Sequence, residues 1–467
     1  VYYPEDKIED VRLLQTGEYG GVGCVIQKIE KDIYISDLNN SGPAKAAGIQ
    51  VGDIIKKVDD TSIDDFSISD VSSLLKGTPD SEVKVVVERG GKEEVFTFNR
   101  ENITSKAVPF YGMREDGIGY VYLDGFTAKA SSEVRNALVN LKKQDPKGII
   151  LDLRGNGGGL LMEAVKIVSY FSDTNDTIVS TRGRGGEIQD VYRKAAKTLF
   201  PDLPLAVLVD DRSASASEIV AGAIQDLDRG VILGEKSFGK GLVQQIKPLP
   251  FGAQMKVTVA KYYTPSGRCI QKVNYDRDEN GKRTKKAAQK EFATTCGRPV
   301  VDGDGIHPDS TLADAYYPEF VSAMSAKGLD LRYAASVMGS MEGAVPDAFA
   351  LSEVQWTAFK EFLAGEAFTF ESLGERKLKQ LEKAASELDY LSEEDIQDLL
   401  ANVEQRKGKV LESQRAEITE YLEDYLVQKH FGLEGTLERG LTRDAQINAA
   451  ASILLEQGTM EALLGVK

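Results

Sequence analysis

Only two histidines, His307 and His430, occur in 467 residues, and that scarcity bears on every catalytic reading of the chain. The three cysteines, Cys24, Cys269 and Cys296, lack metal-ligand spacing, so with so few histidines no zinc site is expected. Cys269 and Cys296 bracket a polar, basic insert. A disulfide clamping that insert is one reading if the protein is exported; two unrelated thiols is the other. No apolar run of roughly 18 residues exists, which predicts no membrane-spanning helix. No signal peptide is visible at the opening "VYYPED", leaving any export signal or anchor to a segment ahead of it. An excess of positive charge is missing too: the formal charge of -16 argues against nucleic acid or an anionic membrane as the main partner.

What is present is the composition of a globular protein, 42% apolar and 28% charged, at a length that predicts two to four domains. The 44 glycines concentrate before residue 310. After an N-terminal remnant (1–16), residues 17–103 read as a small β-rich module. "VGCVIQKI" alternates as a strand does, and "SEVKVVVERGGKEEVFTF" predicts a hairpin turning at Gly90-Gly91. With "GPAKAAGIQVGDIIKKV" between them and "YGGVG" ahead, the module resembles a PDZ domain. That resemblance implies a carboxylate-binding turn at Gly21, Val22, Gly23 and Cys24. The neighbouring groove would be walled by the helix "ISDVSSLLKG", with Val71 and Leu75 on one face.

Residues 104–325 alternate strands and helices. "GIILDLRG" reads as a buried strand followed by the glycine loop "GNGGG", and "PLAVLVDD" as a strand running into the helix "SEIVAGAIQDL". The strand "GVILGE" then leads into the loop "KSFGKG". The glycine loop lacks the Lys-Ser/Thr of a P-loop and the spacing of a dinucleotide fingerprint, so nucleotide binding is not expected. From 326 to 467 the pattern becomes helical. No proline follows Pro346, Ser392 is a candidate helix cap, and Trp356, Phe359, Phe362, Phe368 and Phe370 suggest a buried face.

Between strand and helix lies "RSASASEI". Ser213, Ser215 and Ser217 could be one helix cap and two spare hydroxyls, or one could be a nucleophile. A nucleophile needs a base, and neither histidine has supporting context. Lys240 is better placed. The helix carries the chain roughly 18 Å away and the following strand returns it about as far, so the "FGKG" loop arrives back beside the serines. A Ser–Lys dyad is a known variant of triad chemistry, provided burial depresses the lysine's pKa; Phe238, Leu242 and Val243 are apolar neighbours that could supply it. Asp226 shares a helix face with Ser215 but stands about 16 Å along the axis, and reads as structural.

"SASASEIVAGAIQDL" followed by "GEKSFGKGLVQQ" resembles the carboxyl-terminal processing, or tail-specific, proteases. The likeness runs from the PDZ-like module to about residue 270 and reappears at "GDGIHPD", while the helical tail matches loosely. It implies a multidomain α/β protein: a crotonase-like ββα-spiral protease core, a PDZ domain and a C-terminal helical domain. It further implies Ser215 as nucleophile, Lys240 as base and Gln244 orienting the lysine. The oxyanion hole would be made by the N–H of Ala216 with Gly158 or Gly159. The resemblance implies no cofactor, substrates with apolar C-terminal tails, a bacterial envelope location, and self-association through the helical domain. A PDZ adaptor without catalysis and a crotonase-type acyl-CoA enzyme are the rival readings.

Overall fold

A computed structural model describes residues 1–3, 9, 12–13, 16–173, 175–183, 185–275, 288–313, 317–341, 343–385 and 393–465. The candidate cap Ser392 lies outside the described residues.

The N-terminal module is a five-strand antiparallel path in the order Cys24–Ile29, Asp32–Leu38, Ile54–Val58, Glu82–Arg89, Lys92–Asn99. Alternation sets its core: Val83, Val85 and Val87 turn inward with Ile33, Ile35 and Ile55, while Lys84 faces solvent and Val86 is buried on the other face. The hairpin closes at Gly90-Gly91, where both residues have positive φ and Arg89 pairs with Lys92. The helix Ile68–Leu75 begins at a capping box between Ser67 and Asp70. Cys24–Ile29 ends the sheet, so its outer edge faces that helix with no further strand beside it among the described residues.

The central unit is a six-stranded sheet ordered Phe110–Met113, Ile118–Tyr122, Gly148–Asp152, Leu205–Val209, Val231–Gly234, Ser310–Thr311. The first pair is antiparallel and the rest parallel. The two middle strands are wholly buried, because both faces are covered. The helices Ala130–Lys142, Leu161–Phe171 and Ala216–Asp226 pack on one face. The other is covered by the last helices of the chain, Ala445–Leu455 and Thr459–Leu464, through Ile447, Ala450, Ala451, Leu454 and Leu464. The C-terminal end of the chain thus completes the core of the central unit. A second, antiparallel sheet joins Val179–Arg182, Ile188–Tyr192, Leu242–Pro248 and Gln254–Tyr263, with Tyr2–Tyr3 on its edge.

Helices from Glu319 to Arg443 form a separate aromatic core that buries Trp356 and Phe359, with Phe362, Phe368 and Phe370 partly buried against it. The helix Arg415–Arg443 is kinked at Gly432 (φ 72°, ψ -168°). No described helix is long and apolar enough to cross a membrane. The three cysteines are free thiols.

Candidate active site

The three serines have different fates. The strand Leu205–Val209 ends at Asp210, whose buried carboxylate accepts the N–H groups of Gly155 (2.9 Å) and Ser213 (2.9 Å), lashing two loops together. Ser213 is fully buried and its hydroxyl donates to Leu153 O (2.8 Å). Ser217 is equally buried, donating to Asn156 O (2.8 Å). Only Ser215 remains partly exposed, at the N-cap of the helix Ala216–Asp226. Its backbone lies at φ 58°, ψ -111°, a conformation costly for a residue with a Cβ and held only where its surroundings over-determine it.

Those surroundings include Lys240. The strand Val231–Gly234 runs parallel to Leu205–Val209 and delivers the following loop to the serines, where Phe238 N–H donates to Ser213 O (3.1 Å). The fully buried carboxylate of Glu218 then ties Ser215 to Lys240. One oxygen, Oε2, accepts the backbone N–H of both Ser215 (2.8 Å) and Lys240 (2.8 Å). The other accepts Gly239 N–H (2.7 Å) and the Ser237 hydroxyl (2.6 Å). Burial raises the Glu218 pKa, and these four donors work against the rise. On the opposite side, the buried hydroxyl of Tyr262 meets the carbonyls of Ser215 (2.9 Å) and Lys240.

The Lys240 ammonium is half-buried. Burial pushes its pKa below the ordinary lysine value, the positive charge of Lys256 adds to the push, and Glu218 opposes it. Among the described residues it makes no ion pair and no hydrogen bond, Ser215 Oγ included. Phe238, expected to help desolvate it, is 54% exposed. Gln244 differs from expectation. It lies exposed on the strand Leu242–Pro248, just past a bulge at Val243/Gln244, and makes no hydrogen bond to Lys240. Glu218 and Tyr262 instead hold the backbone of Lys240.

The glycine loop closes the site from the other side. Gly158 (φ 98°) is pressed so tightly on Ser215 that a Cβ there would stand 2.7 Å from Ser215 Cβ and 2.8 Å from Ala216 N. Its own N–H is spent on Asn156 Oδ1 (2.9 Å). Asn156 is itself fully buried, donating to Leu123 O (2.6 Å) and accepting Ala214 N–H (3.0 Å) at its carbonyl. No described residue accepts from the N–H of Gly159 or of Ala216. Two backbone donors beside a strained serine at a helix N-terminus are suited to hold a developing oxyanion.

The remaining candidates fall elsewhere. His307 is half-exposed beside Asp304 (3.7 Å), and His430 packs on the Phe431 ring in the helical tail. Asp226 is buried against Arg268 (2.8 Å) and accepts Ser266 N–H (3.0 Å), a structural role. Among the described residues no group of three or more His, Cys, Asp or Glu side chains is gathered as a metal site.

In the N-terminal module a narrow groove is lined by Tyr19, Val22, Gly23, Cys24, Ser72 and Leu75. Gly23 has φ 75°, and the carbonyls of Val22 and Gly23 are taken by Ala44 and Asn39 N–H groups. Gly21, buried, ends the preceding strand against the Tyr19 ring. Val71 is a correction: it is fully buried in the module's core, because the helix presents Ser72 and Leu75 to the groove and turns Val71 toward the sheet.

Glu218 and Tyr262 escaped the sequence reading. A glutamate three positions into a helix looks like half of a capping box, and a tyrosine at a strand end looks like core.

Three regions of the chain match known families. Residues 117–280 match peptidase family S41, residues 34–89 a PDZ domain, and residues 320–454 the C-terminal helical domain of a probable PDZ-protease. The chain is similar to a chloroplastic C-terminal processing peptidase of Tetradesmus obliquus, 36% identical over 263 residues, covering 53% of this chain and 56% of that one. It is also similar to a carboxy-terminal-processing protease of Bartonella bacilliformis, 37% identical over 285 residues, 59% and 64% covered. The chain thus spans between about half and two thirds of the length of these relatives. Among solved structures it matches a photosystem II D1 C-terminal processing protease at 29% identity and a TM-score of 0.41, covering 71% of this chain and 81% of that one. The chain carries, in order, a PDZ domain, a peptidase family S41 domain and the C-terminal helical domain of the PDZ-proteases.

Proposed function

We propose that the protein is a serine endopeptidase that cleaves proteins near their C-termini with a Ser215–Lys240 dyad. The observation that carries this reading is the fastening of one strained, partly exposed serine to one half-buried lysine through a single carboxylate oxygen of Glu218. Neutral Lys240 takes the proton of Ser215 Oγ as that oxygen attacks the substrate carbonyl carbon. The oxyanion is received by the N–H groups of Ala216 and Gly159, with Gly158 shaping the turn between them. Collapse of the tetrahedral species breaks the C–N bond, and the Lys240 ammonium returns its proton to the leaving amine. Water, deprotonated by the same lysine, then hydrolyses the acyl-enzyme.

We read the core as a crotonase-like ββα spiral, with domain limits near residues 103 and 325. The PDZ groove would take an apolar C-terminal tail, its carboxylate on the turn Gly21–Cys24 and its strand on the free edge of Cys24–Ile29. The likeness to bacterial carboxy-terminal-processing proteases supports an envelope, periplasmic location, and the helical domain is the expected route of self-association.

Serine-directed fluorophosphonate labelling tests the reading. Ser215→Ala should lose labelling and proteolysis while keeping its thermal midpoint. Ser213→Ala and Ser217→Ala should be destabilised by about 1–3 kcal/mol, since each removes a buried hydroxyl from a carbonyl, yet still turn over. A Ser213→Ala protein that is folded and dead, beside an active Ser215→Ala, would give the nucleophile to Ser213. No labelling of the unmodified protein would favour the adaptor.

A further inference from the structure

The geometry points to Tyr262 as a positioning residue for the dyad: its hydroxyl holds the carbonyls of Ser215 and Lys240 and so fixes where nucleophile and base stand relative to each other. This rests on the Ser215–Lys240 reading above.

Each of the two residues is held at both of its peptide groups, by the same two side chains. Glu218 accepts the N–H of Ser215 and of Lys240; Tyr262 reaches the C=O of Ser215 and of Lys240. Four main-chain groups on two loops, 25 positions apart, thus converge on one carboxylate and one phenol. Removing Glu218's half would leave donors unmatched. Removing Tyr262's half would leave Lys240 O without its partner, while Ser215 O would keep only the N–H of Ile219 (3.0 Å). A phenol has one proton for two carbonyls, so the two acceptors must remain close together for it to serve both. The hydroxyl therefore acts as a distance constraint between the loops.

Tyr262 can set that distance because its own position is fixed. It lies near the end of the strand Gln254–Tyr263, and its N–H donates to Gly241 O (3.0 Å), next in sequence to the lysine. Thr181 of a second strand pairs with it from the other side. The ring is 1% exposed, so it touches no substrate. Burial, with Glu218 nearby, holds its pKa well above the ordinary tyrosine value, which keeps the hydroxyl protonated and able to donate at any working pH. The constraint also helps hold Ser215 in its strained conformation, by fixing its carbonyl.

Tyr262→Phe removes the hydroxyl and leaves the ring. In the full chain, kcat on a peptide substrate should fall about 10- to 100-fold, the range expected when reacting groups lose their alignment, with KM within about twofold. The rate of fluorophosphonate labelling at Ser215 should fall in parallel, and the thermal midpoint should stay within a few degrees. Placing p-aminophenylalanine at 262 restores a donor at the same point and should recover most of the turnover. p-Fluorophenylalanine fills the space without a donor and should not; it serves as the test if Tyr262→Phe proves too unstable to assay. Near-normal kcat in either donor-free variant, or a loss of turnover matched by the p-aminophenylalanine protein, would overturn the assignment. If Ser215→Ala itself stays active, it is the dyad that fails rather than Tyr262.

Discussion

Ser215 and Lys240 donate their backbone N–H groups to the same oxygen of Glu218, each at 2.8 Å. The other oxygen takes Gly239 and Ser237 from the lysine's own loop. Glu218→Gln keeps the size but halves the acceptors, since an amide nitrogen cannot receive an N–H. The variant should lose about 1–3 kcal/mol of stability from unmatched buried donors, and turnover should fall by about 100-fold or more as the loops part. Denaturant melts and steady-state kinetics on the same preparation check both. A variant with unchanged turnover would show that the loops keep their places without the carboxylate.

The base should reveal itself in pH. In the proposed dyad Lys240 works only when neutral, and burial plus the nearby Lys256 charge lower its pKa. Activity should therefore rise with pH along a limb lying below the ordinary lysine value. Lys256→Met removes one repelling charge, so the Lys240 pKa should rise and the limb should move to higher pH. A limb that stays put would separate Lys240 from the rate. Lys240→Arg should be inactive, because a guanidinium does not deprotonate in this range. The sign for stability follows. Between the lowered native pKa and the unfolded value the unfolded chain holds a proton the native chain has released, so this group makes stability rise with pH across that window.

The glycine loop offers a matched pair of substitutions. A Cβ on Gly158 would meet Ala214 O at 2.6 Å and Ser215 Cβ at 2.7 Å, at a φ of 98°. A Cβ on Gly157 would meet nothing within 4 Å. Gly158→Ala should then reduce turnover by roughly 100-fold or more by displacing the nucleophile and the donor at Ala216. Gly157→Ala should remain within a few-fold of the unmodified protein. Comparable kinetics for the two would remove Gly158 from the site.

Much of this site was legible because strand and helix lengths are fixed by geometry: one helix out and one strand back return Lys240 to the serines whatever the packing. The choice of Ser215 among three serines became physical only when Ser213 and Ser217 proved to be buried and bonded to Leu153 and Asn156. Glu218 and Tyr262 were illegible for a related reason. Each acts on backbone groups of residues far away in sequence, and main-chain partners leave no residue pattern. The cover of the central sheet was hidden too. The helix Ala445–Leu455 shows an apolar face, but nothing in its spacing says that this face meets Tyr120 and Ile150 rather than the aromatic core around Trp356. Val71 was misplaced by a single helical step, since Val71 and Ser72 lie about 100° apart on one turn.

That step changes how the PDZ groove should be tested. Val71 is fully buried among Val83, Val85 and Ile55, so a charge there would unfold the module instead of blocking it. Ser72 lines the groove at a partly exposed position, opposite Cys24 and Val22. Ser72→Trp should fill the groove and leave the core alone. Cleavage of a protein bearing an apolar tail should fall about tenfold, while a short peptide that reaches Ser215 unaided should be cut at the original rate. Amidating the tail of the protein substrate should weaken its binding for a separate reason. The proposed carboxylate turn Gly21–Cys24 would lose its charged ligand, and Lys76, seated over the Tyr19 ring at the groove's end, carries a positive charge that a neutral amide would not engage. Lys76→Met should then narrow the difference between free and amidated tails. Equal cleavage of both tails by the unmodified protein, with Ser72→Trp no slower on either, would mean that the PDZ domain supports the protease without reading the ends of its substrates.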